Sequence, residues 1–326
     1  MTDSVSLEQV AARLEALLPG HVRRDVPFAE LTTYRLGGPA AVLVHLADTA
    51  GVEAVAAAVG DNLPVLVVGR GSNLLVADEG FAGVALVLEG DLAGLELGGD
   101  TVVAGGGLAL PVLARRTAAA GLSGLEFYVG IPGSVGGAVR MNAGGHGRET
   151  VEVLRRAWVL DLAGEGRLEE RTAHSLEFGY RRSALGPTGV VVRAEFAVTR
   201  RDSAECEAEI DEIVRWRRAN QPGGSNAGSV FTNPPGDTAG RLIDACGLKG
   251  LRVGGVRVSE RHANFFQADP GARAADVVAL VLEVQRQVET ATGVRLHPEL
   301  RPVGFAGQPG GRPGAPAAWA NQGVCP

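Results

Sequence analysis

Between Gly130 and Gly147 the sequence reads GIPGSVGGAVRMNAGGHG, with glycine at 130, 133, 136, 137, 144, 145 and 147. Glycine gives up more conformational freedom on folding than any other residue, roughly 0.5–1 kcal/mol relative to alanine inside a regular element. Two needs explain such a run: a series of tight turns, or backbone pressed against something flat or anionic. A second glycine turn lies earlier, in VVGRGSNLLVADEGF (Val67–Phe81). There a strand runs into Gly-x-Gly, but the third glycine of a dinucleotide fingerprint is absent. Asp78-Glu79-Gly80 stands where that fingerprint's helix would begin. Gly69, Gly71, Ser72 and Asn73 can form a nest of N–H groups for a phosphate, or a plain turn. Two such loops in one α/β unit can grip two parts of one large cofactor.

The surrounding pattern is that of an α/β protein. Leu7, Val10, Ala11, Leu14, Leu17 and Leu18 fall at helical spacing and predict an amphipathic helix over about 6–18. A turn at Gly37-Gly38-Pro39, a strand at Ala41–Leu46, a helix in TAGVEAVAAAVG and strands in LPVLVVG and GVALVLEG follow as a βαβ-like start. From about residue 92 come strands, a helix near 108–120, and strands near 151–162, 166–171 and 189–199, whose short connectors favour antiparallel pairing. SAECEAEIDEIVRWRRAN is a helix, expected to open a new unit near residue 203. DTAGRLIDACG is another, with Asp237 as its N-cap and Gly247 as its stop. ANFFQA is a strand, ARAADVVALVLEVQRQVETATG a long helix ending at Gly293, and VRLHPELRPVG the last strand. Residues 306–326, rich in Pro, Gly and Ala, are expected to be a disordered tail.

Bulk properties narrow the partners. The net charge is −6, so neither nucleic acid nor an anionic membrane is expected to bind. Cys206, Cys246 and Cys325 are odd in number and lack CxxC spacing, which argues against a disulfide framework and for a reducing cytoplasm. The N-terminus lacks the cationic start of a signal peptide, and no run reaches the length of a membrane span. Six histidines show no metal-ligand spacing, so no metal is expected.

Four short stretches carry candidate chemistry. FGYRRS offers Arg181 and Arg182, whose planar forks suit carboxylate or phosphate; each also reads as a surface arginine on a turn. NAGSVFTNP holds Ser229, a hydroxyl for proton transfer or a turn-capping serine. RLHPELRP places Glu299 as an acid aimed into a cleft or a solvated strand end. SERHANFF sets His262 before a buried strand, where a lone histidine is more often structural.

Taken together, TTYRLGGPA, GRGSNLLVADEGFAGV, GLEFYVGIPGSVGGAVRMNAGGHGRE, YRRS, AGSVFTNP, AGRLIDACGLKGLRVGGVRVSERHANFF and HPELRPVG occur in this order. The chain thereby resembles the UDP-N-acetylenolpyruvoylglucosamine reductase family (UDP-N-acetylmuramate dehydrogenases) over about residues 25–305. The resemblance implies an α/β (α+β) chain: a two-subdomain FAD-binding fold of the vanillyl-alcohol oxidase (PCMH) type and a smaller C-terminal α/β substrate domain. The implied parts are 1–92 and 93–201 for FAD, 202–305 for substrate, and the tail 306–326.

It implies an FAD held by Tyr34, Arg35, Gly69, Arg70, Gly71, Ser72, Asn73 and Leu74 in the first loop region. The second loop would add Gly130, Ile131, Pro132, Gly133, Ser134, Gly137, Ala138, Asn142, Gly144 and Gly145. The first loop would cradle the pyrophosphate; the second would pass along it toward the isoalloxazine. NADPH is the implied hydride source and UDP-N-acetylglucosamine enolpyruvate the implied substrate of peptidoglycan synthesis, the protein being a cytoplasmic monomer. Hydride addition at C3 of the enolpyruvyl group leaves negative charge at C2, conjugated with the carboxylate. Arg181 is implied to polarise that carboxylate, with Arg182 as its rival; Ser229 would give the proton and Glu299 assist. Asn233 and His262 match substrate contacts.

There are departures. Thr232 stands where the family often has lysine, and Arg241 where tryptophan is common. No insertion follows YRRS, as expected of the shorter subtype that lacks the tyrosine loop. Two rivals differ in class. A flavin oxidase of the same fold would need no acid at Ser229, and His146 leaves covalent flavin attachment open. A non-catalytic nucleotide-sugar or flavin binder would lose the Arg–Ser–Glu set.

Overall fold

A computed structural model describes residues 6–60, 63–163 and 166–312. The chain divides into two compact units, Met1–Arg24 with Val42–Arg70 and Gly83–Arg217, and Asp25–Ala41 with Gly71–Ala82 and Arg218–Pro326. These limits do not coincide with the expected boundaries after residues 92 and 201.

The first unit holds two larger sheets and two two-stranded ones. In the four-stranded one the spatial order is Val22–Pro27, Pro39–Leu46, Phe81–Leu88, Val65–Val68, the last two parallel. Helices Leu7–Leu17 and Thr49–Val59 belong to its layer, burying Val10, Ala11 and Leu14 from one and Val52, Val55 and Val59 from the other. Ser6 starts the first helix through a capping box with Gln9, and Asp48 caps the second by accepting from the Gly51 N–H. The five-stranded sheet runs Leu168–Thr172, Leu154–Asp161, Gly189–Ala197, Thr101–Gly105, Leu95–Leu97 and is antiparallel throughout, as the short connectors predict.

Helix Leu110–Ala119 and the side chains of Phe127, Tyr128, Val139 and Phe196 fill the core beside this sheet. Helix Ser203–Asn220 inserts Cys206, Ile210 and Ile213 into the same core. Its apolar stripe is spent on the first unit, which keeps the chain through Arg217.

The second unit centres on the three-stranded antiparallel sheet Arg252–Val253, Val256–Val258, Phe266–Ala268. Helix Ala274–Thr292 buries Val277, Val278, Leu280, Val281, Val284 and Val288, an i, i+3, i+4, i+7 stripe, in a core that includes Tyr34, Leu75, Phe231 and Phe266. It ends at Gly293, whose φ of 73° is the left-handed C-cap that glycine adopts without strain. Its start is held from far away in sequence. The Asp78 carboxylate accepts from the N–H groups of Ala274 (2.8 Å) and Ala275 (3.1 Å).

Four expectations in this unit change. The N-cap of helix Ala239–Ala245 is Thr238, not Asp237, because the Thr238 hydroxyl reaches the Arg241 N–H while Asp237 pairs with the Arg241 guanidinium. ANFFQA contributes only Phe266–Ala268 to a strand, and VRLHPELRPVG only Arg301–Val303, which pairs in parallel with Leu74–Val76. Residues 306–312 of the expected tail carry turns, with the Ala82 N–H donating to the Gly310 carbonyl (2.8 Å) beside buried Phe305. The rest of that tail, 313–326, lies outside the described residues.

The carboxylate at the start of the long helix is worth measuring. Asp78→Ala should lower unfolding stability by about 1–2 kcal/mol, and Asp78→Asn, which keeps an acceptor oxygen, by less. The urea midpoints of the two variants against the parent check this.

Candidate functional site

The glycine run of the first unit is not a series of turns. Of its seven glycines only Gly147 has a left-handed φ. The left-handed positions fall instead on Asn142 (φ 42°) and His146 (φ 53°). Within the run Val135–Met141 forms a short helix whose N-cap, Ser134, accepts from the Gly137 N–H (3.3 Å). Close approach is what requires glycine here. A Cβ on Gly69, in the first loop, would lie 2.3 Å from the Ser134 Oγ in the second, so the two loops meet backbone to side chain. A Cβ on Gly144 would lie 2.9 Å from the Glu149 Cγ and 3.1 Å from the Arg181 Nη1.

Arg181 is thus brought onto the second loop. Gly144–Gly145 pairs with Arg148–Glu149 as a small hairpin, Glu149 opposite Gly144. Asn142, 1 % exposed, donates from Nδ2 to the Glu149 Oε2 (2.9 Å) and the Gly179 carbonyl (3.1 Å), and accepts at Oδ1 from the Val151 N–H (3.0 Å). Gly179 and Arg182 close a tight turn, which puts Arg181 in left-handed backbone at φ 57°. The Arg181 guanidinium lies over the Tyr180 ring (4.9 Å), 3.5 Å from the Asn142 carbonyl and 3.6 Å from the Glu149 Oε1. Arg182 is exposed, its side chain folded against Gly179.

Of the other second-loop residues, Gly130 meets the His146 ring, which stands edge-on to Trp216, and the Ile131 carbonyl accepts from the Gly133 N–H. Pro132 is exposed, Ala138 is buried, and Gly145 packs near Ile131.

The second unit gathers another group. Gly71, Ser72 and Asn73 precede strand Leu74–Val76, and among the described residues their N–H groups donate to no acceptor. Asn73 also donates from Nδ2 to the Glu299 carbonyl (3.2 Å), and the Glu299 N–H donates to the Val230 carbonyl (2.8 Å). The residue after Ser229 is therefore joined to Glu299, and Glu299 to the first loop. Ser229 itself is half-buried and pairs with Phe265; its hydroxyl has no hydrogen-bond partner among the described residues.

The segment after Ser229 is held by a residue that sequence reasoning missed. Asn264, 3 % exposed, donates to the Phe231 carbonyl (2.8 Å) and accepts at Oδ1 from the Phe231 N–H (3.0 Å), while its own carbonyl takes the Val230 N–H (2.8 Å). Only its place in SERHANFF, beside His262, could have marked it. Glu149 was missed too; nothing near it in sequence links it to Arg181.

His262 stacks edge-on with Phe265 and accepts at Nδ1 from the Asn264 N–H (3.3 Å), and burial lowers its pKa, with Lys249 adding to the effect. Asn233 is exposed and accepts from the Ala239 N–H (3.1 Å), at the start of the short helix. Arg181 belongs to the first unit; Ser229, Asn233, His262 and Glu299 belong to the second.

Whether these residues fit a flavin is tested by what they leave open. Tyr34 is fully buried with its hydroxyl unpartnered, as is the Thr33 hydroxyl; burial pushes the Tyr34 phenol pKa up. Buried polar groups without partners are rare in folded proteins and fit a polar ligand atom. Arg35 follows in left-handed backbone, its side chain exposed. Each unit taken by itself offers features that suit a flavin nucleotide: the open N–H groups at Gly71–Asn73 and the unpartnered Tyr34 hydroxyl in the second, and the close Gly69–Ser134 approach in the first. Among the described residues no group of three His, Cys, Asp or Glu is placed to hold a metal, and no helix is long and apolar enough to cross a membrane.

These features define an FAD-binding protein, and residues 40–168 match the family described as FAD binding domain. Residues 220–303 match the C-terminal domain of UDP-N-acetylenolpyruvoylglucosamine reductase. The chain is 43% identical over 300 residues to UDP-N-acetylenolpyruvoylglucosamine reductase 2 of Symbiobacterium thermophilum, covering 90% of this chain and 97% of that one. It is 41% identical over 294 residues to the reductase of Rubrobacter xylanophilus, with coverage of 89% and 98%. The crystal structure of the reductase from Thermus caldophilus superposes with a TM-score of 0.76 at 38% identity, covering 86% of this chain and 99% of that one. The chain belongs to the UDP-N-acetylenolpyruvoylglucosamine reductase family.

Two outcomes follow from the second unit. Asn264→Ala leaves the buried N–H and carbonyl of Phe231 unpaired and should cost about 2–3 kcal/mol, read by denaturant unfolding. His262 is held below its ordinary value of 6.5 in the fold, so below that pH the unfolded chain binds its proton more readily. Stability should fall as pH drops from about 6.5, and less steeply in His262→Gln, as melting temperatures across pH 5–7 will report.

Proposed function

We propose that this protein reduces UDP-N-acetylglucosamine enolpyruvate to UDP-N-acetylmuramate for peptidoglycan synthesis, with FAD and NADPH, as a cytoplasmic monomer. The observation that carries the reading is the linkage of Asn73, Glu299 and Val230 by direct hydrogen bonds, which ties the expected proton donor and its assisting acid to the expected flavin loop. The identity to reductases along nine-tenths of the chain supports it.

FAD, when bound, would supply the hydride chemistry at C3 of the enolpyruvyl group, with NADPH as the source of the hydride. Tyr34, Arg35, Gly69–Leu74, Gly130–Ser134, Gly137, Ala138, Asn142, Gly144 and Gly145 hold it in this reading. Arg181 binds the substrate carboxylate, where its fixed positive charge meets the negative charge that spreads from C2 as C3 takes the hydride. The Ser229 hydroxyl gives its proton to C2, for which it needs reach rather than an altered acidity. Glu299 steadies charge and proton at that hydroxyl. Asn233 and His262 contact the nucleotide sugar, His262 as a neutral imidazole. The match of residues 220–303 to the family's C-terminal domain supports reading that part as the substrate-binding one.

Anaerobic absorbance of the flavin band tests this. NADPH should bleach the band and the enolpyruvyl nucleotide sugar should restore it; bleaching without recovery would move the substrate elsewhere. Ser229→Ala should leave bleaching by NADPH within about twofold of the parent and slow recovery by about a thousandfold or more. Equal losses in both steps would remove Ser229 from the role of proton donor.

A further inference from the structure

Glu149 stands where three separate segments meet in the first unit, and no role has yet been given to it. One carboxylate oxygen, Oε2, takes the Asn142 amide at 2.9 Å; the other, Oε1, faces the Arg181 Nη1 at 3.6 Å. Its backbone is pinned as well. The Glu149 N–H donates to the Glu152 Oε1 (2.7 Å), and the residue sits opposite Gly144 in the hairpin. The missing side chain at Gly144 is what lets the Glu149 stem and the Arg181 head pass there. The arginine and glutamate side chains are 22% and 36% exposed, so solvent screens the pair only in part.

We propose that Glu149 is a positioning residue for Arg181 in the reduction proposed above, on which this inference rests. Two features of the geometry support it. The ion pair is longer than a charge-assisted hydrogen bond, typically about 2.7–2.9 Å, so the carboxylate aims the guanidinium without taking a full bond from it. And Arg181 is held in left-handed backbone, a conformation that costs a non-glycine residue energy and persists only where neighbours over-determine it. Glu149 is one of those neighbours, and through Asn142 it fixes the loop on which the guanidinium lies.

The test uses flavin-loaded protein and two variants, Glu149→Gln and Arg181→Ala, singly and together. Glutamine keeps an oxygen for Asn142 but removes the charge facing Arg181. In Glu149→Gln, bleaching by NADPH should stay within about twofold of the parent, while recovery with the enolpyruvyl nucleotide sugar slows about tenfold. On the Arg181→Ala background the same change should slow recovery no further. Parental recovery in Glu149→Gln, or a loss that multiplies with that of Arg181→Ala, would overturn the proposal. If Arg181→Ala alone recovers at the parental rate, the reading of Arg181 as the carboxylate ligand fails, and Glu149 loses its task with it. Melting temperatures of the flavin-free proteins test the pair apart from catalysis. Glu149→Gln should lower the melting temperature in the parent and not in Arg181→Ala; equal drops in both would show a structural acid that does not act through Arg181.

Discussion

Asn142 is 1 % exposed, and a side-chain amide so far from water must spend its donors and its acceptor inside the protein or cost the fold dearly. It spends them on a hairpin carboxylate, a turn carbonyl and the N–H of a 3-10 turn. The left-handed backbone at this position is one that asparagine tolerates better than most residues. The glycine run, the hairpin and the YRRS turn are thereby fixed to one another in a single hydrogen-bonded knot. Asn264 does the same service in the second unit, where it pairs both polar groups of Phe231. In both places the reactive candidate is a neighbour of the residue being held, not the holder.

Electrostatics in the second unit explain how the chain lives with its departures from the family's habits. Thr232, where lysine is common, turns its hydroxyl to the His297 carbonyl (3.2 Å) and joins the segment that leads to Glu299. Arg241, where tryptophan is common, is paired to Asp237 and holds that carboxyl down at about 2.

Local pattern made much of this protein legible. Helix Ser203–Asn220 matches its predicted stretch residue for residue, and the helices at Leu7–Leu17, Thr49–Val59 and Ala274–Thr292 fall within a residue or two of their apolar stripes or glycine stops. Seven ordered motifs were enough to indicate the family. What sequence could not reveal was side chain meeting backbone across long separations. Asp78 lies 196 residues from the helix start it caps, and Asn264 lies 33 from the phenylalanine whose backbone it holds. Asp237 was mistaken for an N-cap because Thr238, one step on, is an equally good one; the choice went to the residue not already engaged by an arginine. The glycine run concealed a helix because Gly136 and Gly137 depress its propensity, and Ser134 with tertiary packing overrides them.

The path of the chain between its units has a consequence for how the protein is made. Three crossings fall inside strands, within Val22–Pro27, Pro39–Leu46 and Phe81–Leu88, and one inside helix Ser203–Asn220. The second unit borrows Tyr34 and Leu75 for its core and Asp78 for its longest helix from the first quarter of the sequence. During synthesis those early segments leave the ribosome long before their partners at 230–305 exist. They must wait, apolar surface uncovered, until nearly the whole chain has emerged. Neither unit is a contiguous piece that a gene could donate or lose by a single cut, so the two are bound to be inherited, and to mature, as one.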